Sequence, residues 1–303
     1  MRSKRNTIGV IVIALLVWGA LAFWGPGGGF ARSWPIFGSK EVNVEQSFEA
    51  RNVQNVEIET SSTDVTIVRG GSERIEVRLE GKASPNIADG FGLRAEPKGD
   101  TLKIGIDKPD GFHIGFRFEN VALTVELPDK QWNVLKAKVS SGNISMENVA
   151  GKTIEVQSSS GNVELADGEA TTIELRSSSG NIEASGYKAE LLKFHASSGN
   201  VTLKDGEAKL KGDAGSGNIR LEAAELTRDA DLSAGSGNVT VSLDREPKSL
   251  AVDYRGGSGS GHIKWDGFQY KEKEEEGRKI KGSFGGGDTM LKVVTGSGDF
   301  RLD

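Results

Sequence analysis

The sequence predicts an all-β protein, a right-handed parallel β-solenoid with coils of about 19 residues, preceded by one N-terminal transmembrane helix. Three observations predict it. A Ser-Gly-Asn motif recurs at nearly constant spacing, short stretches of alternating apolar and polar residues flank each copy, and an apolar run follows basic residues at the N-terminus. No segment after residue 40 has a sustained helical period, so we expect the rest of the chain to be nearly all β.

The N-terminal segment has the composition of a membrane anchor. Arg2, Lys4 and Arg5 precede an apolar stretch from Ile8 to Trp24, which is close to the shortest length that crosses the hydrocarbon layer. Because basic residues stay on the cytoplasmic side, we expect a single-pass protein of the cell membrane whose C-terminal domain is extracellular. The alternative is a signal peptide cleaved after Ala20-Leu21-Ala22, which would release a secreted protein.

These features divide the chain into an anchor (1–24), a Gly-rich linker (25–40) and a β-strand repeat ectodomain (41–303). Within the ectodomain we expect irregular first coils in 41–130, regular repeats in 131–265, and a charged insertion with a C-terminal cap in 266–303. The five basic residues of 1–40 leave 33 basic and 43 acidic residues in the ectodomain. Nucleic acid would repel such an acidic surface, so a nucleic-acid partner is not expected.

The repeated motif carries the prediction of a solenoid. From the first regular copy to the last variant, its glycines are 19, 19, 19, 18, 20, 24 and 37 residues apart. Every coil of a solenoid closes a similar perimeter, whereas loops between hairpins vary freely in length. The predicted corner residues are Gly142, Gly161, Gly180, Gly199, Gly217 and Gly237, with Asn143, Asn162, Asn181, Asn200, Asn218 and Asn238.

The motif is predicted to build the corner of each coil. Val156 and Val163 are both apolar but are seven residues apart, so an unbroken strand would place them on opposite faces. The chain must therefore bend at Ser-Gly-Asn, where Gly accepts a positive φ and Asn tolerates the left-handed region. If coils stack in register, the asparagines form a ladder, which is a structural role and not a catalytic one.

An antiparallel β-sandwich of hairpins is the alternative fold. A two-residue turn at Ser160-Gly161 would pair Val156 with Leu165 across a hairpin. The run Lys271-Glu272-Lys273-Glu274-Glu275-Glu276 is predicted to be a solvated loop, and Met290 to Asp303 the C-terminal end of the array.

The chain resembles a bacterial β-strand repeat family described as "putative adhesins", a domain of unknown function that includes LiaG-like membrane-anchored proteins of envelope-stress operons. The resemblance rests on the N-terminal anchor, Ser61-Ser62-Thr63-Asp64-Val65, Val125-Glu126-Leu127-Pro128, the Ser-Gly-Asn repeats and Thr295-Gly296-Ser297-Gly298-Asp299-Phe300. It implies a role in interaction at the envelope, linked to envelope stress or antimicrobial peptides. It implies no catalytic residues.

No catalytic, cofactor or metal site is predicted. The three histidines, His113, His195 and His262, are far apart in the sequence, and His262 is expected to occupy the position of a motif asparagine. We therefore expect a non-enzymatic interaction or scaffold protein that binds an envelope protein, peptide or polymer, or associates with itself. The alternative is a carbohydrate-active β-helix enzyme that acts on cell-wall or extracellular polysaccharide, with carboxylates clustered on one strand face.

Overall fold

The computed structural model describes residues 38–108, 119–274 and 276–303. The predicted anchor and most of the predicted linker lie outside these residues. Within the described part of the chain, no helix combines the length and apolar character needed to cross a membrane.

The described residues form 25 strands, one 3-10 helix at Ala50–Asn52 and one short α-helix at Pro85–Ala88. In chain order the strands are β1 Lys40–Glu49, β2 Asn55–Thr60, β3 Asp64–Arg69, β4 Arg74–Ala83, β5 Gly92–Lys98, β6 Thr101–Asp107, β7 Glu119–Leu127, β8 Trp132–Val139, β9 Ile144–Glu147, β10 Ala150–Ser158, β11 Val163–Ala166, β12 Glu169–Ser177, β13 Ile182–Ser185, β14 Lys188–Ala196, β15 Val201–Lys204, β16 Glu207–Ala214, β17 Ile219–Ala223, β18 Ala230–Ala234, β19 Val239–Leu243, β20 Leu250–Gly256, β21 Gly261–Ile263, β22 Gln269–Lys273, β23 Lys279–Phe284, β24 Thr289–Thr295 and β25 Phe300–Leu302.

The regular repeats form a parallel solenoid of two sheets. Each coil contributes one long strand and one short strand. The sheet of 13 strands that contains the long strands is called the long-strand sheet, and the sheet of 12 strands that contains the short strands is called the short-strand sheet. Ile154 pairs with Ile173 and Val163 pairs with Ile182, so a residue lies beside its equivalent 19 positions later. The hairpin alternative is wrong for these repeats, because Val156 pairs with Leu175 in a parallel strand.

The core lies between the two sheets. Ile154 and Val156 of the long strand face inward, as do Val163 and Leu165 of the short strand, and all four are buried. These are the apolar members of the alternating stretches, which confirms the pattern-based assignment of the inner faces. Burial of such a continuous apolar layer is the main stabilising contribution to a fold without disulfides.

The spatial order of the coils differs from their order in the chain at both ends. The stack contains ten coils, each named by its long and short strand. From one end to the other they are β6/β7, β2/β3, β8/β9, β10/β11, β12/β13, β14/β15, β16/β17, β18/β19, β24/β25 and β20/β21. The first coil to be completed in the sequence, β2/β3, and the last, β24/β25, are therefore both internal. Met290 to Asp303 is thus not the end of the array, contrary to our expectation.

Antiparallel strands cover the two ends of the stack. At the first end, β4 and β1 extend the short-strand sheet beyond β7, and β5 extends the long-strand sheet beyond β6. At the other end, β23 and β22 form a hairpin beside β20. Residues 271–273 of the charged run predicted as a loop therefore belong to β22. Lysines and glutamates suit an edge strand because they oppose pairing with another chain.

We predict that a chain ending at Asp288 loses the folded structure of the β20/β21 coil. Without β24, β20 has no parallel partner and a gap separates it from β18. In a solenoid whose last coil is outermost, such a truncation would remove only one interface. Hydrogen exchange of the β20 amides should become fast in the truncated chain. It should stay slow in a control that lacks only β22, whose five residues are all exposed. Unchanged protection of β20 after truncation would contradict this coil order.

Candidate functional site

The corner glycines are required by close packing between coils. A Cβ atom on Gly199 would lie 1.8 Å from the carbonyl oxygen of Gly180, and one on Gly180 would lie 2.1 Å from that of Gly161. The motif glycines belong to the described residues, and none of them has a positive φ. Our expectation about φ is therefore wrong at this corner, because the neighbouring backbone occupies the space of a side chain.

The six motif asparagines form a ladder in which a side-chain oxygen accepts a hydrogen bond from a backbone N–H of the neighbouring coil. The Oδ1 atom of Asn162 accepts a hydrogen bond from the backbone N–H of Asn181 at 2.9 Å, and the same contact recurs from Asn143 to Asn238. Asp64 and Asp299 make the equivalent contacts at the two ends of the ladder. Because only an oxygen acceptor is needed, a carboxylate can replace the amide at these ends.

Two further features connect the coils, and the sequence reasoning missed both. The buried hydroxyls of Ser158 and Ser177 donate to the carbonyl oxygens of Gly142 and Gly161, at 2.9 and 3.0 Å. At the opposite corner, left-handed residues stack 19 positions apart at Asn148, Asp167, Gly186 and Asp205. The recurrence of Asn, Asp or Gly at that spacing was the available signal, since these residues adopt a positive φ most readily.

The structure places the histidines in unrelated environments. His113 lies outside the described residues. His262 is paired with Arg301, while Ser260 occupies the ladder position and donates its backbone N–H to Asp299. The expectation that His262 replaces a motif asparagine is therefore wrong. Ser260, two residues earlier, holds that position, because Gly259 and not Gly261 stacks on Gly298.

A groove of about 450 Å³ crosses the outer face of the long-strand sheet at β12, β14, β16 and β18. Its floor includes Phe194 and Gly212, where the absence of a side chain at Gly212 accommodates the phenyl ring. Its walls are outward-facing polar side chains at equivalent positions of successive coils. They are Glu174, Arg176, Lys193, His195, Lys211, Asp213, Asp231 and Ser233.

His195 forms a chain of contacts inside this groove. Its Nδ1 atom lies 2.9 Å from Asp213 Oδ2, and its Nε2 atom lies 3.3 Å from Ser197 Oγ. The set resembles a Ser-His-Asp triad in composition, but His195 and Asp213 are each about half exposed. An exposed carboxylate holds and polarises an imidazole less firmly than the buried one of a hydrolase.

The backbone amides around Ser197 are already engaged between coils. The N–H groups of Ser197, Ser198 and Gly215 donate to Ser177, Ser178 and Ala196, at distances of 2.8 to 3.1 Å. An oxyanion hole needs N–H donors directed at the substrate. Within the described residues, no group of three or more His, Cys, Asp or Glu side chains is placed to hold a metal ion.

Side chains with clearly shifted pKa values lie away from the groove. Burial raises the pKa of the Tyr187 hydroxyl, with a smaller contribution from the negative charge of Asp205. Burial also raises the pKa of Tyr254, and it lowers that of Lys130. Shifted pKa values often mark active sites, but the main cause of these three shifts is burial of the side chains in the packed structure.

The fold and its corners define a parallel two-sheet β-solenoid with a repeated Ser-Gly-Asn corner. The chain belongs to the Toastrack DUF4097 family, whose model matches residues 53–303. This confirms the resemblance to a family of unknown function, while LiaG-like membrane anchoring stays a prediction. No curated protein matches the sequence.

Two solved structures show the same fold. A protein described as a "putative adhesin" from Bacteroides fragilis is 15% identical, with a TM-score of 0.52 over 86% of this chain and 97% of its own. A "putative lipid binding protein" from Parabacteroides distasonis is 19% identical, with a TM-score of 0.51 over the same shares of the two chains. At these identities the similarity concerns the fold alone.

We predict that Gly199→Ala lowers the free energy of unfolding by on the order of 3 kcal/mol, because the corners must separate to admit the methyl group. The matched control is Gly71→Ala, at an exposed turn where a Cβ would meet nothing within 4 Å. That substitution should change stability by less than about 0.5 kcal/mol. Urea unfolding of the full chain measures both, and equal midpoints would refute the close-packing account.

Proposed function

We propose that this protein is a non-enzymatic binding module of the cell envelope, tethered to the membrane through residues 1–24 and displaying its ectodomain outside the cell. The observation that carries the proposal is the groove across the long-strand sheet. It offers charged side chains, a hydroxyl and an imidazole on a rigid surface, while the nearby backbone amides are used between coils. This combination supports recognition without turnover.

The groove also favours one class of partner over others. The ectodomain carries a net negative charge. This charge alone would favour cationic antimicrobial peptides as partners, and with them a link to envelope stress. Lysines from two adjacent strands line the groove, however, so an envelope polymer or other anionic ligand suits this surface better than a cationic peptide. Self-association through the end of the stack that carries β22 is less favourable, because this edge strand contains Lys271, Glu272 and Lys273.

An enzyme acting on polysaccharide is the second candidate, favoured by the contacts among Ser197, His195 and Asp213. The carboxylates of the groove are each bound to a basic side chain, including Glu174 to Arg176 and Asp231 to Lys292. A glycoside hydrolase instead needs one carboxyl group that donates a proton and another that attacks or activates water. The geometry therefore supports binding better than hydrolysis.

We predict that Ser233→Tyr, which fills the groove, weakens binding of envelope polymers by at least about tenfold, or about 1.4 kcal/mol. The control is Ser145→Tyr, at a similarly half-buried outward position of the short-strand sheet, and it should bind like the unaltered chain. Co-sedimentation of the full chain in neutral detergent with protein-free envelope polymers provides the measurement. Equal binding by both variants would place the interaction elsewhere. Polymer cleavage that Ser197→Ala abolishes would establish the enzyme instead.

The proposed topology can be measured by single-cysteine labelling, because the native chain contains no cysteine. We predict that Lys271→Cys, in an exposed strand, reacts with a membrane-impermeant maleimide in intact cells, and that the labelled chain pellets with membranes. Ser3→Cys should react only after the cells are permeabilised. Labelled protein in the culture medium would favour the cleaved signal peptide.

A further inference from the structure

Two lysines in the groove face each other without a carboxylate partner. Lys193 of β14 and Lys211 of β16 are directly opposed in the parallel register. Among the residues that the structure describes, neither forms an ion pair. Equivalent lysines elsewhere on this face do, since Lys136 contacts Glu155 at 2.9 Å and Lys103 contacts Glu57 at 3.0 Å. The pair therefore differs from these two lysines, which lie in the same row of the sheet.

The nearby carboxylates are held by other cations. Glu174 is opposite Lys193 in the register, yet it accepts from Arg176 Nε at 2.6 Å. Asp231 is opposite Lys211, yet it lies 3.2 Å from Lys292 Nζ. The third groove carboxylate, Asp213, contacts His195.

Like charges that are directly opposed on adjacent strands destabilise a sheet. A bound anion between the two ammonium groups would remove this repulsion, and the groove provides the space for one. The hydroxyl of Ser233 lines the same groove, so it offers a hydrogen bond beside the lysines. An anionic ligand would thus pair with two ammonium groups that form no ion pair within the described residues.

The donor set favours a phosphoryl group over a carboxylate. A carboxylate presents two oxygens in one plane, whereas a phosphoryl group presents its oxygens in several directions, which suits two ammonium groups that approach from different strands as point charges. The arginine of the groove, Arg176, is already occupied by Glu174. Strand spacing places the backbones of Lys193 and Lys211 about 4.8 Å apart, so their flexible side chains can reach two oxygens of one phosphoryl group.

The position of the groove favours a polymer over a membrane lipid as the source. The chain enters the ectodomain at β1, and seven strand spacings separate β1 from β15 in the short-strand sheet, or about 34 Å. The groove lies at that level and opens on the outer face of the other sheet. A stack that stands upright on the membrane of the proposed anchor would hold the groove beyond the headgroups.

We propose that Lys193 and Lys211 bind a phosphoryl group of a phosphate-bearing envelope polymer. This inference rests on the proposed binding function and assigns its ligand class.

The test is titration calorimetry of the full chain in neutral detergent with a linear polyphosphate. The double variant Lys193→Gln/Lys211→Gln should bind at least about tenfold more weakly, and Lys193→Arg/Lys211→Arg should restore binding. The matched control is Lys136→Gln, in the same row of the sheet three strands away, and it should bind like the unaltered chain. Without ligand, the double glutamine variant should melt no lower than the unaltered chain, because it removes the repulsion between two opposed cations while Glu174 and Asp231 keep Arg176 and Lys292.

Three further ligands distinguish the source of the anion. Polyglutamate and inorganic phosphate should each bind at least about tenfold more weakly than polyphosphate, and vesicles of phosphatidylglycerol should not compete with it. Equal binding of polyglutamate would overturn the phosphoryl assignment, and preference for the vesicles would overturn the polymer. No binding of polyphosphate, or equal binding by the glutamine variant, would overturn the proposal as a whole.

The two proposals fail separately. If Ser233→Tyr abolishes binding of envelope polymers but the lysine variants do not, the groove binds and the phosphoryl assignment is wrong. If polyphosphate binds through the lysines but native envelope polymers do not bind at all, the assigned chemistry is right and the envelope function is wrong.

Discussion

The close approach of successive corners is the constraint on which the rest of the structure depends. A carbonyl oxygen of one coil occupies the position that a Cβ of the next would need, as at Gly180 and Gly199. The coils from β8/β9 to β20/β21 therefore all have glycine at this position, whereas the β2/β3 coil below them has Thr63. The asparagine beside the glycine then accepts the backbone N–H of the following coil. Shape and hydrogen bonding together fix the register, and the regular apolar layers between the sheets follow from that register.

This constraint acts between neighbours in space and does not require neighbours in sequence. The side chain of Asp299 accepts a hydrogen bond and its backbone N–H donates one, just as in the internal asparagines, although Asp299 lies 61 residues from Asn238 in the sequence. The segment from β24 to β25 can therefore enter the stack between coils that precede it in the chain. The same principle places the β2/β3 coil inside the other end, where Asp64 continues the ladder.

The regular part of the fold could be predicted because period and alternation are local properties of the sequence. The 19-residue spacing indicated the parallel register, and alternation indicated the inward residues of each coil, such as Ile154 and Leu165. The order of the terminal coils could not be predicted, because it depends on long-range pairing that leaves no periodic trace. The register of His262 was misjudged because two consecutive Ser-Gly pairs occur at 258–261.

The groove was missed for a different reason. Outward lysines and glutamates look alike in a sequence, and only coordinates show that Glu174 contacts Arg176 and leaves Lys193 without a carboxylate. The role of the corner glycines was misassigned for the same reason, since neither the backbone angle nor the distance to the next coil is visible in a motif. Composition identified the important positions, but the contacts determined what each position does.

The internal placement of β24/β25 has a consequence for biosynthesis. Ribosomes release the chain from its N-terminus, so the slot between β18/β19 and β20/β21 stays open until β24 and β25 emerge. Closure of this slot is thereby coupled to the synthesis of β24 and β25 and, for an exported chain, to their translocation. A chain cut short by premature termination would expose an open sheet edge, which is the kind of surface that quality-control proteases and chaperones recognise.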